Sequence, residues 1–179
     1  AIDKDCRRAN LMRVIHNGAL VPIEESECND KGWMMGNGVF ETIKTVENKP
    51  WALSRHMRRA VASAQQLGLQ IPTEDLVRNS VENLLDTQQH AHGLLRLSFG
   101  KNGNWSAVHL AHEPVKHGAK LLTYDKAIVV QGQPIKSYPY THRLEILEAI
   151  KSLGADEAIV CNDKGKICEG SVTNLLLRI

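Results

Sequence analysis

Lys136 stands in Pro134-Ile135-Lys136-Ser137-Tyr138-Pro139-Tyr140, and Glu169 follows it in Cys168-Glu169-Gly170-Ser171-Val172-Thr173-Asn174. A lysine amine condenses with a carbonyl to form an imine. A carboxylate can hold a ring nitrogen in its protonated state through a charge-assisted hydrogen bond. Upstream, Ser54-Arg55-His56-Met57-Arg58-Arg59 offers cations for a phosphate. An amine, a carboxylate and a phosphate-binding cation are what pyridoxal phosphate (PLP) chemistry requires of a protein. Taken singly, each has a plainer reading: an exposed loop lysine, a solvated hairpin carboxylate, a charged helix face. Lys151 is the rival amine, but it falls late in a helix of mixed charge, where it points to water.

Those residues need elements to position them. Residues 13–22 read as a β-hairpin around Asn17-Gly18, a strong turn dipeptide. Val39 to Val46 reads as a strand, with Val39, Glu41, Ile43 and Thr45 on one face and Phe40, Thr42 and Lys44 on the other. A helix is expected from Arg55 to about Leu67, capped by Ser54 and stopped by Gly68, burying Met57, Val61, Ala64 and Leu67. A second is capped by Thr73 and carries Leu76, Val77, Val81, Leu84 and Leu85 inward. Leu94 to Phe99 reads as a strand, and the His-rich stretch from Ala111 to Gly118 as a loop near a domain boundary.

Further on, Ala127 to Val130 reads as a buried strand. Tyr140 to Leu153 reads as a helix with Leu144, Leu147, Ile150 and Leu153 on one side, ended by Gly154. Glu157 to Cys161 and Lys166 to Cys168 form a hairpin, and Thr173 to Ile179 a last strand. This mixed order argues α+β rather than a doubly wound sheet. The boundary gives two domains, residues 1–118 and 119–179.

The 179 residues are 42% hydrophobic, enough for one full domain or two small ones. A net charge of +2 with interspersed charges leaves no nucleic-acid footprint. No apolar run spans a bilayer, and the first residues lack an apolar signal core. Cys6, Cys28, Cys161 and Cys168 show no C-x-x-C spacing and read as reduced thiols of a cytoplasmic enzyme, although Cys161 and Cys168 could face each other across the hairpin. His109, His112 and His117 read as solvent-facing loop residues without an acidic or cysteine partner, so no metal site is assigned.

Three blocks carry a resemblance. They are Gly36-Asn37-Gly38-Val39-Phe40-Glu41-Thr42, then His56-Met57-Arg58-Arg59 followed by Ala62-Ser63-Ala64, then Gly154-Ala155-Asp156-Glu157-Ala158 leading into Glu169-Gly170-Ser171-Val172-Thr173-Asn174. In this order and spacing, with Lys136 between the second and third, the chain resembles the class IV PLP-dependent aminotransferases. That group includes branched-chain and D-amino acid aminotransferases and aminodeoxychorismate lyases.

The resemblance implies a two-domain fold type IV enzyme, with the C-terminal part of the larger domain missing from this chain. It implies Lys136 as the Schiff-base lysine, Glu169 as the pyridine partner and Arg59 as the phosphate ligand. Ser171, Thr173 and Tyr140 are implied as further cofactor contacts, and Phe40 as a residue near substrate. It also implies small-molecule amino and oxo acid substrates and a homodimer. Asn37 departs from the common Asp. No arginine stands at Phe99, which weakens a D-specific reading, and Phe40-Glu41-Thr42 differs from the branched-chain form. The resemblance therefore names no substrate. It leaves an aminotransferase, a lyase releasing pyruvate and 4-aminobenzoate, or a truncated non-catalytic homologue.

Overall fold

A computed structural model describes residues 12–113, 118–126 and 135–178. Two compact units make up the chain: Ala1–Pro114 with Ile135–Pro139, and Val115–Pro134 with Tyr140–Ile179. The architecture is α+β.

In the first unit, β1 (Arg13–His16) and β2 (Ala19–Pro22) form the hairpin at Asn17-Gly18. β3 (Gly38–Val46) is followed by the short β4 (Lys49–Pro50), then α1 (Leu53–Gln66) and α2 (Glu74–Thr87). β5 (His92–Gly100) and β6 (Trp105–Ala111) come next. The sheet order is β2-β1-β6-β5-β3-β4. Of the second unit, β7 is Leu121–Thr123. The first unit is completed by β8 (Ser137–Tyr138), which pairs with β3 at Val39↔Ser137 and Gly38↔Tyr138. The segment carrying Lys136 therefore runs along the edge of the first sheet. The division at residue 118 placed it in the second domain; strand pairing across the sequence gap explains the difference.

Strand alternation sorts the sheet into two faces. Ile15, Val39, Ile43, Leu95, Leu97 and Ala107 pack beneath α1 and α2. Fully burying such side chains stabilises by roughly 1.5–3 kcal/mol each. α2 starts where expected, with the Thr73 hydroxyl accepting from Leu76 N. α1 does not: its N-cap is Ala52, in the left-handed conformation, and Ser54 lies inside the helix and bonds Glu74 at 2.5 Å. The buried stripe of α1 is Leu53, Met57, Ala60, Ser63 and Ala64, so Val61 is exposed, as is Leu76 on α2. The helix phase is set by which ridge meets the sheet.

His109 is a strand residue of β6, not a loop residue. It is fully buried, with Nε2 2.7 Å from the Thr45 hydroxyl and Nδ1 2.7 Å from the Gln88 carbonyl. Gly93 makes this possible, because a Cβ there would collide with the ring and with Thr45. Burial lowers the His109 pKa below the usual 6.5; the Gln88 carbonyl opposes the shift and His90 adds to it. The folded state thus keeps the ring neutral, and the unfolded chain takes the proton first. The stabilisation is complete above pH 6.5 and lost as pH falls from there toward the folded pKa. The thermal midpoint should drop on acidification from pH ~7.5 to ~5.5, with a slope of at most ~1.4 kcal/mol per pH unit from this ring. His109→Gln should shrink the drop; an identical drop in that variant would remove His109 as its source.

In the second unit, α3 (Thr141–Ser152) leads to β9 (Glu157–Cys161) and β10 (Ile167–Gly170), in the order β10-β9-β7. α3 buries Ile146 and Ile150 against Ala158 and Val160, while Leu153 is exposed. Gly154, at φ +74°, ends it. Cys161 and Cys168 are free thiols, as is Cys28. Residues 174–178 form no strand, in contrast to the expected last element. The expected strand at Ala127–Val130 and His117 lie outside the described residues.

Candidate active site

The candidate residues fall into a group in each unit. In the first, β8 pairing holds Lys136: its carbonyl accepts from Phe40 N at 2.9 Å, and Ile135 packs on the hydrophobic core. The lysine Nζ lies 5.0 Å from the centroid of the Phe40 ring. Phe40 also meets Trp33 edge-on at 5.1 Å. The amine is thus set against an aromatic wall by a fixed backbone.

Phe40 and Glu41 are consecutive on β3 and point to opposite faces. Glu41 is fully buried under α1. Arg59 grips it through both oxygens, with Nε to Oε1 at 2.6 Å and Nη2 to Oε2, and His56 Nδ1 lies 2.7 Å from Oε2. Burial pushes the Glu41 pKa up, but the Arg59 and His56 hydrogen bonds outweigh it, and the net shift is downward. Two motif blocks distant in sequence thus meet in one ion network. Sequence reasoning assigned Glu41 no role. The signal was present: a carboxylate among Val39, Ile43 and Thr45 on a buried strand face demands a cation partner.

Arg59 remains 53% exposed on its side chain. Glu41 uses two of the five guanidinium donors, so donors remain for a phosphate. Arg58 is exposed.

In the second unit, Glu169 on β10 accepts from Arg143 Nη2 at 2.5 Å, Arg143 being on α3. Tyr140 immediately precedes that helix. Burial raises its phenol pKa; Arg143 opposes this, and Glu169 and Glu157 reinforce it. The hydroxyl therefore stays protonated, a donor, across the neutral range.

Ser171 departs from its expected role. It is buried, and both its N–H (2.9 Å) and its hydroxyl donate to Glu157. Glu157 also accepts from Ala158 N at 2.7 Å and Val172 N at 3.3 Å. Burial raises the Glu157 pKa, yet Ser171, Ala158, Thr173 and Val172 together bring it below the usual value. A buried carboxylate needs several donors, and here it recruits the Ser171 hydroxyl, a group expected among the cofactor contacts. Gly170 admits this turn, since a Cβ would strike the Thr173 hydroxyl.

Each unit holds groups of the kinds PLP needs: the first an amine on a pinned backbone and a half-exposed guanidinium, the second a carboxylate with one oxygen engaged and a protonated phenol.

The D-alanine aminotransferase of Bacillus licheniformis is 25% identical over 186 residues, covering 92% of this chain and 64% of its own length. The chain thus spans just under two-thirds of that relative. A branched-chain amino acid aminotransferase from T.th., solved in complex with N-(5'-phosphopyridoxyl)-L-glutamate, shares the fold. Its TM-score is 0.74 at 23% identity, over 90% of this chain and 62% of that one. A Legionella pneumophila protein provisionally named a 4-amino-4-deoxychorismate lyase does so at TM-score 0.67 and 22% identity, over 75% of this chain and 56% of its own. The profile of the amino-transferase class IV family matches residues 38–179. That match covers most of the chain, which belongs to the amino-transferase class IV family.

Proposed function

We propose that this chain carries out PLP-dependent amino-group transfer from an α-amino acid to a 2-oxo acid. The observation that carries this reading is the single family match from residue 38 to 179, which spans Lys136 and Glu169 together. Bound PLP would draw electrons from the substrate α-carbon. Lys136 supplies the amine that holds the cofactor aldehyde and, once released, moves the α-proton as base and acid. Glu169 holds the ring nitrogen, and Arg59 turns its unengaged donors to the phosphate. Tyr140 donates its hydroxyl toward the cofactor, and Phe40 walls the amine. The reading includes small-molecule amino and oxo acids as substrates, a homodimer and a cytoplasmic setting.

The test is reconstitution with PLP, then assay of D- and L-amino acids with 2-oxoglutarate. A visible band and transfer to the oxo acid are expected. Pyruvate release from 4-amino-4-deoxychorismate without amino transfer would replace this reading with a lyase, and a protein that stays colourless would favour a non-catalytic homologue. Arg59→Ala should weaken PLP binding about 10- to 100-fold, the range for lost charge-assisted hydrogen bonds, with a smaller effect on turnover at saturating cofactor. Titration of apoprotein checks this. An unchanged dissociation constant would move the phosphate role to Arg55 or Arg58.

A further inference from the structure

Arg143 holds the carboxylate assigned to the ring nitrogen. Its Nη2 donates to Glu169 Oε1 at 2.5 Å, and its side chain is only 15% exposed, against 37% for Glu169. Its Nη1 is buried with no hydrogen-bond partner among the described residues. Tyr140 before α3 and Glu157 on β9 belong to the same electrostatic neighbourhood, and Cys168 and His142 are the titratable chain neighbours of Glu169 and Arg143. We propose that Arg143 is a positioning residue that holds one oxygen of Glu169, leaves the other for the ring nitrogen, and by its charge weakens that nitrogen's hold on its proton. The inference rests on the reading of Glu169 as the ring partner.

A carboxylate has about four lone-pair sites, so one guanidinium N–H does not displace a second donor. Fixing Oε1 orients the whole group, and the remaining oxygen meets the ring without loss of rotamer freedom at that moment. The charge acts separately. A cation within a few ångströms of a protonated nitrogen disfavours the proton, and a largely buried guanidinium is poorly screened. The plainer alternative is a salt bridge that only ties α3 to β10. That role changes stability and leaves the cofactor's titration where it was.

The experiment is a pH titration of the ring-nitrogen 15N chemical shift in the whole chain loaded with PLP labelled at that nitrogen. Arg143→Gln keeps a donor for Glu169 and removes the charge; Arg143→Lys keeps the charge. Gln should raise the ring-nitrogen midpoint by at least about one pH unit, since a unit charge ~4 Å away at an effective dielectric of ~20 is worth up to ~4 kcal/mol, or ~3 pH units. Lys should leave it near the parent value. Should Arg143→Gln fail to fold, Arg143→Met fills the same space without charge and carries the same expectation. A midpoint unchanged in the uncharged variants, in protein whose colour depends on Lys136, overturns this inference and leaves the proposed function standing. A parent chain that takes up no colour, or a Lys136→Ala variant that keeps it, overturns both.

Discussion

Lys136→Ala protein mixed with PLP lacks the visible band and loses turnover by at least ~10⁴-fold, since both the covalent anchor and the proton carrier go with one side chain. The fold should survive the change. The position is held through its backbone carbonyl on Phe40 N and through its neighbours, Ile135 in the core and Ser137 paired with Val39. Lys151, the rival, is half-exposed on its side chain and sits 3.7 Å from Glu148 on the same helix. Borohydride reduction of the loaded parent followed by peptide mass mapping should place the adduct on Lys136. Retention of more than about a tenth of the turnover in Lys136→Ala would end this assignment.

Glu157→Ala destabilises the second unit by about 3–5 kcal/mol, the combined cost of several neutral donors that lose one acceptor. The loss has a visible origin. Ser171 N and Oγ, Ala158 N and Val172 N would all lose their common acceptor, and buried donors left unmatched cost about 1–3 kcal/mol each. The turn directly after Glu169 is built on those bonds, so PLP binding should weaken as well. Glu157→Gln retains one acceptor oxygen and should cost roughly half as much. Thermal melts give the size of the effect, and amide exchange at Ser171 and Val172 its location. Unaltered protection of those two amides in Glu157→Ala would show that the turn stands without the carboxylate.

Elements were legible in the sequence where a local physical rule governs them. Thr73 caps α2, Gly154 stops α3, and Asn17-Gly18 turns the first hairpin, because each acts within a few residues of itself. The phase of α1 was not legible. Met57 and Ala64 face the core, but Ala60 is buried where Val61 was expected, and Val61 is exposed. Ser54 has the chemistry of a cap, yet Glu74 and Arg78, far along the chain, claim its hydroxyl. The candidate site shows the same division. Glu41 betrayed itself by standing on an apolar face. Arg143 gave no such sign, since nothing near it in sequence announces Glu169 as its partner. Ser171 carried a donor group that could be read, but the buried acceptor that captures it is set by the register of β9 against β10.

The return of Ile135–Pro139 to the first unit bears on how this protein can be taken apart. β3 is flanked by β8 at Gly38–Val39 and by β4 at Thr45–Val46. A fragment cut at residue 118 would bare the Gly38 end of that strand, inviting edge-to-edge association between copies. A soluble excised first unit would need the five residues rejoined to it by a linker, and only such a chimera would retain Lys136.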